Sequence, residues 1–198
     1  MAAGIIVAAP PGQAESNFQS AAGVLTARAH VDFQITIPQF LFLRVGTGTG
    51  TAAGGYATRA KIDTISWAPT AAQLGTGPLA GTGGDLTGGV ETAVVVANGG
   101  NVTLSSATKG PLTDANGDTI SFGTINTTAS HNTTGTTLPA PALADGATTS
   151  ITLTAVNKIV RQDAKWAYSY ANATTPAAGT YGGVNVRNGR VTYTASVP

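Results

Sequence analysis

Between Leu25 and Ile37 the chain alternates without a break. Leu25, Ala27, Ala29, Val31, Phe33, Ile35 and Ile37 are apolar, and Thr26, Arg28, His30, Asp32, Gln34 and Thr36 between them are polar. A period of two puts all the apolar side chains on one face of an extended strand. At ~3.4 Å per residue such a strand reaches about 44 Å, against roughly 42 Å across a compact domain of this size. It therefore spans the whole domain, or part of it leaves the domain and pairs elsewhere. Pro38 interrupts the pattern. Phe40, Leu41, Phe42, Leu43 and Val45 follow and predict a second strand buried on both faces.

Shorter strands are predicted over residues 62–67, 90–97, 101–106, 119–122, 149–156, 164–171 and 189–197. Each is rich in Val, Ile, Thr, Tyr or Trp. Trp166, Tyr168 and Tyr170 share one strand face, and Val191, Tyr193, Ala195 and Val197 share another. Turn clusters such as Asn98-Gly99-Gly100, Asn116-Gly117-Asp118 and Gly182-Gly183 separate these stretches. Residues 68–89 and 126–148, rich in Thr, Gly, Pro and Ala, are expected to be long surface loops. No stretch carries a helical stripe with caps. The expected class is all-β, an antiparallel Ig-like β-sandwich. Residues 1–22 are expected to be a leader remnant or a flexible N-terminal extension, 23–37 a strand of donor type, and 38–198 the sandwich body.

Composition narrows the functions. Of 198 residues only 10% are charged, the formal net charge is +1, and there is no Cys. Nucleic-acid binding through counterion release has almost no basis at that charge. Disulfides and thiolate metal sites are excluded. No apolar run reaches the ~18 residues of a membrane helix, so no transmembrane segment is expected. The two histidines, His30 and His131, lie on the polar face of the long strand and in a Thr-rich stretch. Surface polar roles suit them better than a catalytic triad, and the chain is expected to be no enzyme and to need no cofactor.

Asp114, Asn116 and Asp118 resemble the start of a calcium loop, with oxygen ligands at alternate positions. Thr119 stands where the turn glycine belongs and Ile125 where a closing Glu belongs, so a hairpin turn at Asn116-Gly117 accounts for the segment better. The Gly46–Gly50 and Gly81–Gly84 runs lack the Lys-Ser/Thr and helix of a phosphate loop. Four Asn-x-Thr sequons, at Asn101, Asn126, Asn132 and Asn172, are expected by chance in so Thr-rich a chain.

The two ends of the chain carry a resemblance. Pro176-Ala-Ala-Gly179-Thr-Tyr181 turns into the terminal strand Val191-Thr-Tyr193-Thr-Ala195-Ser-Val197-Pro198. This resembles the last strand of chaperone–usher pilus subunits and related secreted domains. The alternating strand ahead of the body is similar to their donor-strand extension. The chain departs from that pattern in lacking Cys and in having Val197 at the penultimate position.

The resemblance implies a secreted structural subunit of a fimbria-like filament on a bacterial surface, for adhesion or biofilm. Its partners would be its own copies, joined head to tail, with a periplasmic chaperone and an outer-membrane usher. The donor would be Leu25, Ala27, Ala29, Val31, Phe33, Ile35 and Ile37. If the acceptor groove lies between the first body strand and the last, Phe40, Phe42, Val191, Tyr193 and Ala195 are its candidates. Elementary physics leads the same way. A sandwich short of one strand leaves unpaired backbone edges and an apolar groove, and a strand from a neighbour satisfies both. A heterologous contact of that kind does not close, so it builds a fibre. The rival expectations are a β-sandwich adhesin or carbohydrate-binding module, and a viral or phage coat protein.

Overall fold

The computed structural model describes residues 16–47, Tyr56, 61–133 and 135–198. They fall into two compact units, Met1–Pro38 and Gln39–Pro198. In the first unit none of residues 16–38 lies in a strand ladder, and every one is exposed. The alternation of Leu25–Ile37 thus has no strand partner within the described chain. Phe33 is 91% and Ile35 86% exposed.

The second unit is all-β. Its strands are β1 (Leu41–Val45), β2 (Ile65–Ser66), β3 (Leu79–Ala80), β4 (Thr82–Gly83), β5 (Val90–Ala97) and β6 (Val102–Ala107). There follow β7 (Leu112–Thr113), β8 (Thr119–Ile120), β9 (Ile125–Ser130), β10 (Thr136–Thr137), β11 (Thr148–Leu153), β12 (Val160–Tyr170) and β13 (Thr192–Ser196). The larger sheet runs β1-β5-β12, with β12 carrying β10 and β9 along one stretch and β3 at its end. All its pairings are antiparallel except β10 with β12. The smaller sheet is β11-β6-β13, antiparallel throughout.

One hydrophobic core joins the two sheets. Ala93, Val95, Ala97, Val160, Ala164 and Trp166 come from the first and Val102, Leu104 and Leu153 from the second. Strict alternation decides which side chains enter. On β6, Val102, Leu104 and Ser106 are buried and the residues between them are not. Trp166 is wholly buried and its indole N–H donates to the Leu138 carbonyl at 2.9 Å, so a large ring enters the core without an orphaned donor.

Several expectations change in detail. Residues 126–148 are not one loop, because β9 and β10 lie there. β9 is an exposed Thr-rich strand on β12, and without an apolar face it leaves no periodic signal. Residues 68–89 likewise contain β3 and β4. The strand expected over 62–67 shortens to Ile65–Ser66. The last strand, expected over 189–197, is Thr192–Ser196. The run from Phe40 is not buried on both faces: β1 is the edge strand of its sheet and half-buried throughout. Its apolar outer face is explained by aromatic stacking, since Phe40 and Phe42 lie against Tyr56 with ring centroids 5.3 and 4.8 Å apart.

The Asp114 segment is the hairpin turn. β7 pairs with β8, and Gly117 takes a φ of 92°. The Asp114 carboxylate accepts the backbone N–H of Asn116 at 2.8 Å and of Asp118 at 2.9 Å. An oxygen so occupied is holding the turn. Among the described residues no group of three or more acidic or imidazole side chains is placed to hold a metal. No helix there is long and apolar enough to cross a membrane. The Asn172 sequon is structural: its side chain is buried and donates to the Gln73 and Gly77 carbonyls at 2.6 and 2.9 Å.

Candidate functional site: the seam between the first and last body strands

Each sheet ends in an edge strand, and β1 and β13 approach one another across the sandwich. On β1 the pairing Leu41↔Ala97, Leu43↔Val95 and Val45↔Ala93 turns Leu41, Leu43 and Val45 toward the core, because their partners are fully buried there. On the other edge Val191, Tyr193, Ala195 and Val197 pack against the same core. All seven are partly rather than fully buried. Two edges lined by inward-facing but incompletely covered apolar side chains form a seam along this side of the body.

Tyr193 anchors the floor of the seam. Its ring lies 5.3 Å from that of Trp166, and its hydroxyl is 3.0 Å from the Tyr168 hydroxyl. Burial pushes the Tyr193 phenol up to about 12 and also raises that of Tyr168. Both stay neutral at any ordinary pH, so the pair can share its hydrogen bond without charge.

An acidic group stands at the Val45 end. Glu91 is the second residue of β5 and is only 5% exposed. Burial first, and then the negative charge of Asp63, push its carboxyl up to about 7. The Asp85 N–H donates to its Oε2 at 3.3 Å. Asp63 is itself desolvated, yet the backbone and hydroxyl donors of Thr47 and the Lys61 ammonium at 3.2 Å hold it below its usual range. Gly46 is required here. Its φ is 82°, and a Cβ would stand 2.6 Å from both the Asp63 and Glu91 carboxylate oxygens.

The opposite side of the sandwich is closed. After β10 the chain passes from the edge of the larger sheet to β11 of the smaller. Leu138 N–H donates to the Asp163 carbonyl at 3.0 Å, and Leu138 is fully buried. Ser106 Oγ donates to the Ala142 carbonyl at 2.8 Å, Thr149 donates to the same oxygen, and Thr108 Oγ donates to Ala144 at 2.6 Å. Side-chain hydroxyls thus satisfy the carbonyls of a segment that no ladder pairs.

Of the residues expected in an acceptor groove, Val191, Tyr193 and Ala195 are at the seam. Phe40 and Phe42 are not: they face outward onto Tyr56, and their places on the inner face are taken by Leu41, Leu43 and Val45. The odd-numbered parity of Leu25–Ile37 carries straight through Pro38 to 41, 43 and 45, which was the signal available for them. Val197 belongs to the lining by the same alternation. Nothing in the sequence pattern singled out Glu91. The resemblance-bearing corner is a local one: Tyr181 hydroxyl donates to the Ala177 carbonyl at 2.8 Å. Comparison of the chain with family models, with curated proteins and with solved structures gives no match.

Proposed function

We propose that the chain is a structural subunit of an extracellular filament, in which Leu25–Ile37 of one copy enters the β1/β13 seam of the next. The carrying observation is a match of two incomplete parts. One part is an alternating apolar segment with Val31, Phe33, Ile35 and Ile37 in water. The other is a half-covered apolar seam between two edge strands. Burying each large donor side chain stabilises the joint by ~1.5–3 kcal/mol, and the added strand also satisfies edge hydrogen bonds.

Leu25–Ile37 pairs with no strand among the described residues, which leaves its backbone open to a neighbour's edge. Phe40 is moreover tied to the body, its N–H donating to Asn98 Oδ1 at 2.8 Å. In this reading no residue is catalytic, the body is an Ig-like sandwich completed in trans, and the fibre stands on a bacterial cell surface. A second reading, a carbohydrate-binding sandwich, has the partly exposed Phe40–Tyr56–Phe42 stack in its favour, since aromatic faces suit sugar rings.

The test is Phe33→Asp. The variant is expected to stay monomeric, with wild-type stability, and to bind an added wild-type peptide spanning Leu25–Ile37. Fibres from the variant indistinguishable from wild type would remove the segment from the joint. Wild-type protein that binds immobilised glycans and never polymerises would establish the second reading instead.

A further inference from the structure

Beyond the seam, the opposite face of the same pole carries apolar groups with no work to do in an isolated chain. We infer that the turn Val156–Ile159 and the cleft beside it form the surface on which the body of the next copy rests. This rests on the strand-donation reading and adds to it a second, body-to-body contact.

The turn is a rigid two-residue hairpin. Val156 N–H donates to Ile159 O at 2.9 Å and Ile159 N–H donates back at 3.0 Å, with Asn157 and Lys158 at φ 52° and 64°. A turn held this way needs no apolar flanks, yet Val156 is 74% and Ile159 53% exposed. The cleft beside it has a mixed lining that includes Thr136, Val156, Ile159, Arg161 and Gln162. The Gln162 Oε1 lies out of solvent there and accepts no hydrogen bond. An oxygen already out of solvent is beyond a partner's reach, so what this surface offers a partner is the exposed Val156 and Ile159 side chains.

The position says which partner. Lys158 O accepts the Gly100 N–H at 3.1 Å, and Gly99 lies so close under Gln39 that a Cβ would meet its Nε2 at 2.0 Å. The turn therefore shares a pole with Gln39 and Phe40, where the body begins. If Ile37 sits in a neighbour's seam, only Pro38 and Gln39 separate it from the anchored Phe40. Three Cα steps span at most about 11 Å. The neighbour's body is thereby brought against this pole, and the occupant of the surface is a second copy of the chain.

Because the chain has no Cys, single cysteines report on the contact directly. Ile159→Cys and, separately, Val156→Cys are compared with Thr128→Cys on the exposed strand β9. Each is treated with a maleimide as wild-type-like fibres and as Phe33→Asp monomers. The expected result is a fall of at least tenfold in the alkylation rate at 159 and 156 on going from monomer to fibre, with less than a twofold change at 128. Fibres in which 159 and 156 react as fast as in the monomer would overturn the contact and leave strand donation standing. Failure of the wild-type chain to form fibres at all would overturn both.

Discussion

The two sides of the sandwich are built from the same kinds of residue and end differently. On one side, the segment after β10 crosses from sheet to sheet. Leu138 fills the interior and the hydroxyls of Ser106, Thr108 and Thr149 take up its carbonyls. On the other, β1 and β13 meet with Leu41, Leu43, Val45, Val191, Tyr193, Ala195 and Val197 incompletely covered. The difference teaches that a sheet edge can be finished by an irregular segment only if the chain also supplies donors for its backbone. At the β1/β13 seam, among the described residues, Ser105 Oγ donates to the Thr194 carbonyl of β13 at 3.3 Å, and the two edges stay partly exposed. What suits it is a regular strand, whose backbone pairs with the edges and whose alternate side chains face the core.

The largest expected effect comes from breaking the closed side. Trp166→Ala removes a fully buried ring and leaves the Leu138 carbonyl without its donor. The body should lose ~3–5 kcal/mol, read as a lower urea midpoint for the monomeric Phe33→Asp background.

The next effect belongs to the Val45 end of the seam. The Glu91 carboxyl is raised from 4.5 to about 7 in the folded chain. The folded form therefore binds its proton more tightly than the unfolded form. Stability contributed by that proton is fully present below about 4.5 and is lost as pH rises through about 7. The monomer should be less stable at pH 8 than at pH 5 by at most about 3 kcal/mol from this group. Denaturation of wild type and Glu91→Gln at both pH values checks it. The variant should lose most of the difference, and an equal pH dependence in both would show that the cost lies elsewhere.

The smallest effect in the monomer sharpens the contrast most. Leu43→Ala at the half-covered seam should cost about 1 kcal/mol, below the ~2–5 kcal/mol of a buried Leu. In fibres the same substitution should cost more, because the seam is then filled. The readout is the temperature at which fibres release monomer in detergent. An equal loss in monomer and fibre would mean that Leu43 is as covered before assembly as after.

Much of this arrangement is legible in the sequence, and its gaps have physical causes. The strand Val90–Ala97 follows from its composition, and Trp166, Tyr193 and Val191 fall on core faces by period two. β9 stays hidden because an exposed edge strand has no dry face to write into the pattern. β1 misleads in the opposite way: it is apolar on both faces, so the odd-numbered parity of Leu41, Leu43 and Val45 does not stand out, and the ladder with β5 shows them turned inward while Phe40 and Phe42 stack on Tyr56. Glu91 is invisible to periodicity, since its weight comes from long-range neighbours at Asp63, Asp85 and Gly46. The clearest signal of all, Leu25–Ile37, is the one stretch whose strand has no partner in the described chain.

The most direct measurement is on the purified protein, imaged by negative stain and run on SDS gels with and without boiling. Strand donation predicts thin fibres and a ladder that collapses to a single band near 19.6 kDa only on boiling, because subunits joined by exchanged strands dissociate slowly. A monodisperse monomer in both lanes, with no fibres on the grid, would contradict it.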